Sequence, residues 1–303
     1  MKFLNLNNRS SQWILLIFVS FIWGASFILM KRGLESFSPV QVGSLRIFFA
    51  SLFLIPFLFK RLKKFKKKDL KSLLIVAFIG NLFPALLFAK AQTQVSSSMA
   101  AMLNTLFPII ALITGSLFYG LKTERHKILG TLIGFAGAVG LVLGDNLNFS
   151  GENNFYSLYI LAAIIFYAVS LNEIKYKLTD LDGITITVFS FAIIGPFAGI
   201  SFLFTDFKSA FSAPGALQGL FYIALLALGG SAIAVTLFYH LTDYVGVVFA
   251  SLITYIIPVF AIFWGLFDGE KISFLQFVFM GIIFFGVWLV NSNNKKTRPD
   301  RSL

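Results

Sequence analysis

LFAKAQTQVSSSMAAMLNTLFP, residues 87–108, and LFYHLTDYVGVVFASLITYIIP, residues 237–258, superimpose when Pro108 is laid on Pro258. Leu87 then meets Leu237, Phe88 meets Phe238, Val95 meets Val245, Ala100 meets Ala250, Ala111 meets Ala261 and Gly115 meets Gly265. Matches in this order identify a repeat, because apolar composition alone does not keep register. Four extra residues in the first copy bring Glu124 opposite Glu270, after which Gly140 and Gly286 lie sixteen positions on in both copies. Nearer the N-terminus a shift of 144 pairs Trp23 with Tyr167 and Lys31 with Lys175. The chain therefore divides into residues 1–150 and 151–303, two copies of one unit.

What the copies are made of follows from composition. Apolar residues make up 57% of the 303, charged residues 13%, and mean hydropathy is +0.84, outside the range of water-soluble domains. Crossing about 30 Å of hydrocarbon takes about 20 apolar residues. Ten such spans are expected at 12–30, 40–59, 70–89, 95–119, 128–144, 155–174, 184–204, 217–239, 246–267 and 273–291. Their apolarity is continuous rather than alternating, which predicts helices and not barrel strands. The first span imitates a signal peptide in having Lys2 and Arg9 before it and Gly24, Ala25 and Ser26 within it. Its apolar run continues to Met30, which favours a retained helix.

The net charge of +12 is accounted for by topology. With the N-terminus in the cytoplasm, nineteen Lys and Arg residues lie inside, including the run KRLKKFKKK at 60–68. Only Lys31, Arg32, Lys90, Lys208 and Lys271 lie outside. The positive-inside rule then sets both termini in the cytoplasm of a cell membrane, and the basic run lies against anionic headgroups. No folded module for reading nucleic acid is present, so none is expected as a partner. Five crossings per copy invert the second unit relative to the first, an architecture of secondary transporters.

FIWGASFILMKRGL, SPVQVGSLRIFFASL and SSMAAMLNTLFPIIALITGSLFYGLKTER, with the last echoed as FASLITYIIPVFAIFWGLFDGEKIS, resemble the EamA-type family of the drug/metabolite transporter superfamily. The resemblance covers nearly the whole chain. It implies a ten-helix fold with a central cavity lined mainly by the first, third, fourth, sixth, eighth and ninth spans. It also implies movement of metabolites, amino acids or foreign compounds, often outward.

Arg46 is the one cation well inside a span, roughly 9 Å from its boundary at 1.5 Å per residue. It either contacts an anion or snorkels and bonds backbone. Its counterpart in the second copy is Ser190. The other expected lining residues are Ser26, Asn81, Asn104, Asn172, Ser231 and Thr254 as polar groups, with Trp23, Tyr167, Tyr239 and Tyr255 as aromatic walls. Thr105 and Thr236 belong to the same polar set, and the alternative for each is a bond within its own helix. Pro108 and Pro258 kink the fourth and ninth spans and are expected to act as hinges or gates. Gly130, Gly134, Gly137, Gly140 and Gly144 offer close helix contact, either inside the fold or between protomers of a homo-oligomer. Lys90 and His240 are counterparts at span ends.

Asp145, Glu152, Asp206, Asp243 and Asp268 all fall in expected loops, and no acidic residue is expected mid-membrane, which weakens carboxylate-based ion coupling. With no cysteine and two histidines far apart, no metal site is expected, and no nucleophile or paired acids suggest an enzyme. No cofactor is expected either, and no nucleotide-binding GxxxxGK[ST] occurs. The expectation is a multi-pass permease for a small molecule, set against an ion or small-molecule channel.

Overall fold

A computed structural model describes residues 8–121, 125–143, 152–212, 214–238, 240–241 and 253–291. The described residues are helical throughout, without a strand. Helix α1 spans Arg9–Leu34, capped by the Asn8 side chain accepting from the Ser10 N–H. Helix α2, Pro39–Arg61, opens on a capping box: the Ser38 hydroxyl accepts from the Gln41 N–H and the Gln41 amide accepts in return. Pro39 occupies the first turn, where its missing N–H costs nothing.

The third rod has three parts: α3, Leu70–Ala77, a π-helical turn at Phe78–Leu82, and α4, Phe83–Ala91. The fourth is broken into α5, Ser97–Asn104, and α6, Phe107–Tyr119, which meet at 41°. Next come α7, Arg125–Leu143, α8, Glu152–Lys177, and α9, Gly183–Ile200, capped by Asp182. A short α10, Phe207–Ser212, lies in what the sequence suggests is a loop. Helix α11, Ala216–Leu225, runs into a second π-helical turn, Leu226–Ile233. Two shorter rods close the chain, α12, Ile253–Phe267, and α13, Phe274–Asn291.

A helical segment lies within each of the ten expected ranges, with residues 246–252 of the ninth outside the described ones. Six of them are long and apolar enough to cross a membrane, and seven if the bent α5–α6 pair counts as one span. The surface is what lipid demands: Leu203, Phe204, Leu217 and Phe274 are each over four-fifths exposed, while Ser20, Ser97, Thr185 and Ser190 are sealed inside. Water would penalise so large an apolar surface. A bilayer reverses the sign.

Close packing is set by α7 against α13, α2 against α9, α1 against α12, and α6 with α4 against α8. Glycines permit the tightest approaches. A Cβ on Gly286 would lie 2.5 Å from the Gly134 backbone nitrogen, so the expected glycine-lined helix is used inside the fold, against α13. A Cβ on Gly24 would sit 2.5 Å from Phe260 Cβ, locking α1 to α12.

Candidate substrate site

The two π-helical turns occupy matching places. Gly80 and Asn81 lie 150 residues before Gly230 and Ser231, the register of the repeat. Each turn is met by a serine from the other half of the chain. Gly80 packs on Ser170 and Gly230 on Ser26, and these serines are 144 residues apart. A π turn widens the helix and leaves backbone groups outside the regular ladder, and it recurs at functional sites.

Here one such carbonyl is used. The Trp23 indole N–H donates to Gly230 O at 2.9 Å, and beside it the Arg46 Nε–H donates to Ser231 Oγ at 2.9 Å. Arg46, half-buried on α2, is thereby tied to the second half of the chain. Tyr167, the counterpart of Trp23, stands close enough to interact electrostatically with the guanidinium. Aromatic rings extend the wall: Trp23 packs on Phe238 with centroids 5.2 Å apart, Phe88 on Tyr167 at 6.0 Å and Phe27 on Phe88 at 5.9 Å. Ser26, Trp23, Arg46, Tyr167 and Ser231 are therefore brought together around the π turns.

Other expected lining residues go elsewhere. Asn172 donates to Ala111 O, Thr114 Oγ1 and Ala168 O at 2.9–3.0 Å, which makes it a buried strut between α8 and α6. Asn81 donates to Val76 O in its own helix, stitching the π turn. Tyr255 stacks edge-on to Phe284 of α13, and Thr254 is buried. Tyr239 lies outside the described residues, as do Asp145, Asp243, Glu124 and Gly144. Asn104 is half-buried at the α5–α6 break, and its side chain makes no hydrogen bond among the described residues. The break follows from Pro108, whose missing N–H releases the Asn104 carbonyl four residues back. Pro258 instead lies within a continuous α12. Glu152, expected in a loop, is the first residue of α8.

Glu173 was missed by sequence reasoning. It is buried near the end of α8, accepting from Ser72 Oγ and Tyr119 Oη at 2.6 Å each. Its signal was a lone acid within an otherwise apolar span.

Two charged clusters close opposite ends of the bundle, each joining the two halves. At one end Lys31 Nζ reaches Asp268 Oδ2 at 2.6 Å and Glu270 Oε1 at 2.8 Å, and Arg32 pairs with Asp268. Glu270 also accepts from the backbone N–H and hydroxyl groups of Ser97 and Ser98, capping α5. Burial pushes the Glu270 carboxyl up, but the hydrogen bonds from Lys31 and Ser98 outweigh it and hold the group at about 2. At the other end Asp182 accepts from Arg61 at 2.7 Å and Lys64 at 2.5 Å, and Asp180 from Lys66 and Lys68. Burial opposes ionisation at Asp182 as well, and Lys64, Thr185 and Arg61 hold its carboxyl well below the usual range.

An all-helical chain with an apolar exterior, polar ends and a cation bound across its middle is a multi-pass membrane protein. The sequence profile of the EamA-like transporter family matches residues 11–143 and 154–292, and the chain belongs to that family. It is 30% identical over 274 residues to the uncharacterized inner membrane transporter YedA of Escherichia coli K12, covering 89% of this chain and 87% of that one. The uncharacterized transporter YoaV of Bacillus subtilis is 23% identical over 253 residues, covering 82% and 86%. A solved crystal structure at 15% identity superimposes with a TM-score of 0.63 over 93% of this chain and 96% of the other. That likeness is one of fold. The protein is a membrane transporter of the cell membrane.

Proposed function

We propose that the chain is a secondary transporter that carries a small metabolite, amino acid or drug-like compound outward by alternating access. Residues 1–150 and 151–303 act as inverted halves of ten crossings, with both termini cytoplasmic. The carrying observation is the pair of π-helical turns at matching registers, each packed on a serine from the opposite half, with Arg46 bridging to Ser231 between them. The two matched blocks of the family profile support the division, and the outward direction rests on the family resemblance. Two similar halves around one site can exchange shapes and so swap the side on which the site opens. Lipid is the solvent, and neither nucleic acid nor a cofactor has a part in the cycle.

Reconstitution into liposomes with labelled amino acids and metabolites tests this. The expected result is saturable flux of at least one solute, accelerated by the same solute on the opposite side. Ion conductance with no solute exchange would replace the transporter by a channel.

A further inference from the structure

Arg46 is left with more hydrogen-bonding capacity than the protein uses. Its Nε–H is taken by Ser231, while its two terminal amino groups donate to nothing among the described residues. The ion pairs of the described residues all lie at the two ends of the bundle, and none involves Arg46. A charge inside a membrane protein costs several kcal/mol unless it is paired or hydrated. An apolar side chain of similar volume would avoid that cost. The bond to Ser231 uses the Nε–H alone, so the reason for the rest of the charged group is sought in a ligand.

We infer that this site binds a small organic monoanion through its carboxylate and rejects net cations; this rests on reading the central cluster as the substrate site. With Nε held by Ser231, the terminal nitrogens form a planar two-pronged donor, which matches two carboxylate oxygens. One guanidinium balances one negative charge, which favours a carboxylate over a phosphate dianion. The remaining described Lys and Arg side chains are at helix ends. Glu173, the buried acid of α8, is already held by Ser72 and Tyr119, so nothing in the cluster offers a counter-charge to a cation. Trp23, Tyr167, Phe88 and Phe238 supply an apolar wall for the rest of the molecule. The ligand is thus a carboxylate with an apolar or aromatic body.

The test is thermal unfolding of the purified full chain in detergent with phenylacetate, phenylacetamide, phenethylamine and phenyl phosphate, of matched shape and differing charge. Phenylacetate is expected to raise the melting temperature more than the other three. Arg46→Met is expected to weaken the phenylacetate response at least about tenfold, as loss of charge-assisted bonds implies, and to melt no lower than the parent without ligand. Ser231→Ala keeps the charge and is expected to retain the preference for carboxylate over amine. An equal response to phenethylamine or phenylacetamide overturns the proposal. So does a larger response to phenyl phosphate, no response to any carboxylate, or an Arg46→Met chain that melts well below the parent, which would mark the guanidinium as a strut. Flux of any solute in the liposome assay preserves the transporter reading however the charge series falls.

Discussion

Glu270 gathers five hydrogen bonds, from Lys31, from the backbone and hydroxyl of Ser97, and from the same two groups of Ser98. Its carboxyl is held at about 2, below the ordinary value of 4.5. A carboxyl depressed in the folded state contributes stability that is present above its ordinary value and lost as pH falls towards the depressed one. Melting in detergent should therefore be steady down to the ordinary carboxylate range and decline below it, more steeply in the parent than in Glu270→Gln. Glu270→Ala should lower stability at neutral pH by about 3 kcal/mol, the low end for breaking a buried pair. Asn172→Ala removes the donor to the Ala111 carbonyl and the Thr114 hydroxyl, which keeps its own bond to Ile110 O, and opens a gap beside Gly115, a loss of about 2 kcal/mol read by the same melts. Molecules of that variant that fold should transport at the parent rate, because the amide faces α6. Residues of this kind explain how much of the site was legible. Arg46 stood out because a charge among apolar residues can be seen without coordinates. Asn172 and Asn81 could not be separated from the other candidate lining residues, since a sequence does not say whether an amide turns to its own helix, a neighbour or a cavity.

At the scale of elements, the glycine contacts give graded predictions. Gly286→Ala drives a methyl into backbone of α7, which cannot rotate away, and should cost about 3 kcal/mol with loss of the α7–α13 contact. Gly80→Ala and Gly230→Ala should differ, although the two glycines are counterparts. At Gly230 the obstacle within 3 Å is the Ser26 hydroxyl, which can change rotamer, and Ser26 Cβ stands 3.5 Å off. At Gly80 the Ser170 Cβ itself is 2.7 Å away, so the helices must separate. Gly80→Ala should melt the lower of the two, and equal losses would contradict the packing described. Helix positions were readable because apolar length and capping residues such as Ser38 and Pro39 act locally. The break in the fourth rod was readable at Pro108, though the bend opens upstream where the carbonyl is released. The π turns were not readable: FIGNL and LALGGSAI are ordinary apolar helix, and the serine packed against each glycine comes from the other half of the chain.

At the scale of the molecule, the charge clusters lie at opposite ends and each ties the first half of the chain to the second. Under the alternating access proposed above, a conformation that opens one end must break the pairs there and can keep those at the other, so the balance between the clusters would bias the direction of opening. The natural absence of cysteine makes this measurable with a single Asn104→Cys reporter and a membrane-impermeant thiol reagent applied from either face. Asp268→Asn weakens the Lys31 end, and its side chain is only 7% exposed, so its pairs are little screened. Asp182→Asn weakens the Arg61 end, where the aspartate is 31% exposed and Lys64 is 54% exposed. Exposed pairs are worth about 1 kcal/mol or less, so this second shift should be the smaller. Labelling from the face nearest Lys31 should rise in Asp268→Asn, and labelling from the opposite face should rise in Asp182→Asn. Two variants that shifted accessibility towards the same face, or neither shifting it, would show that the clusters merely staple the fold and that opening is governed elsewhere.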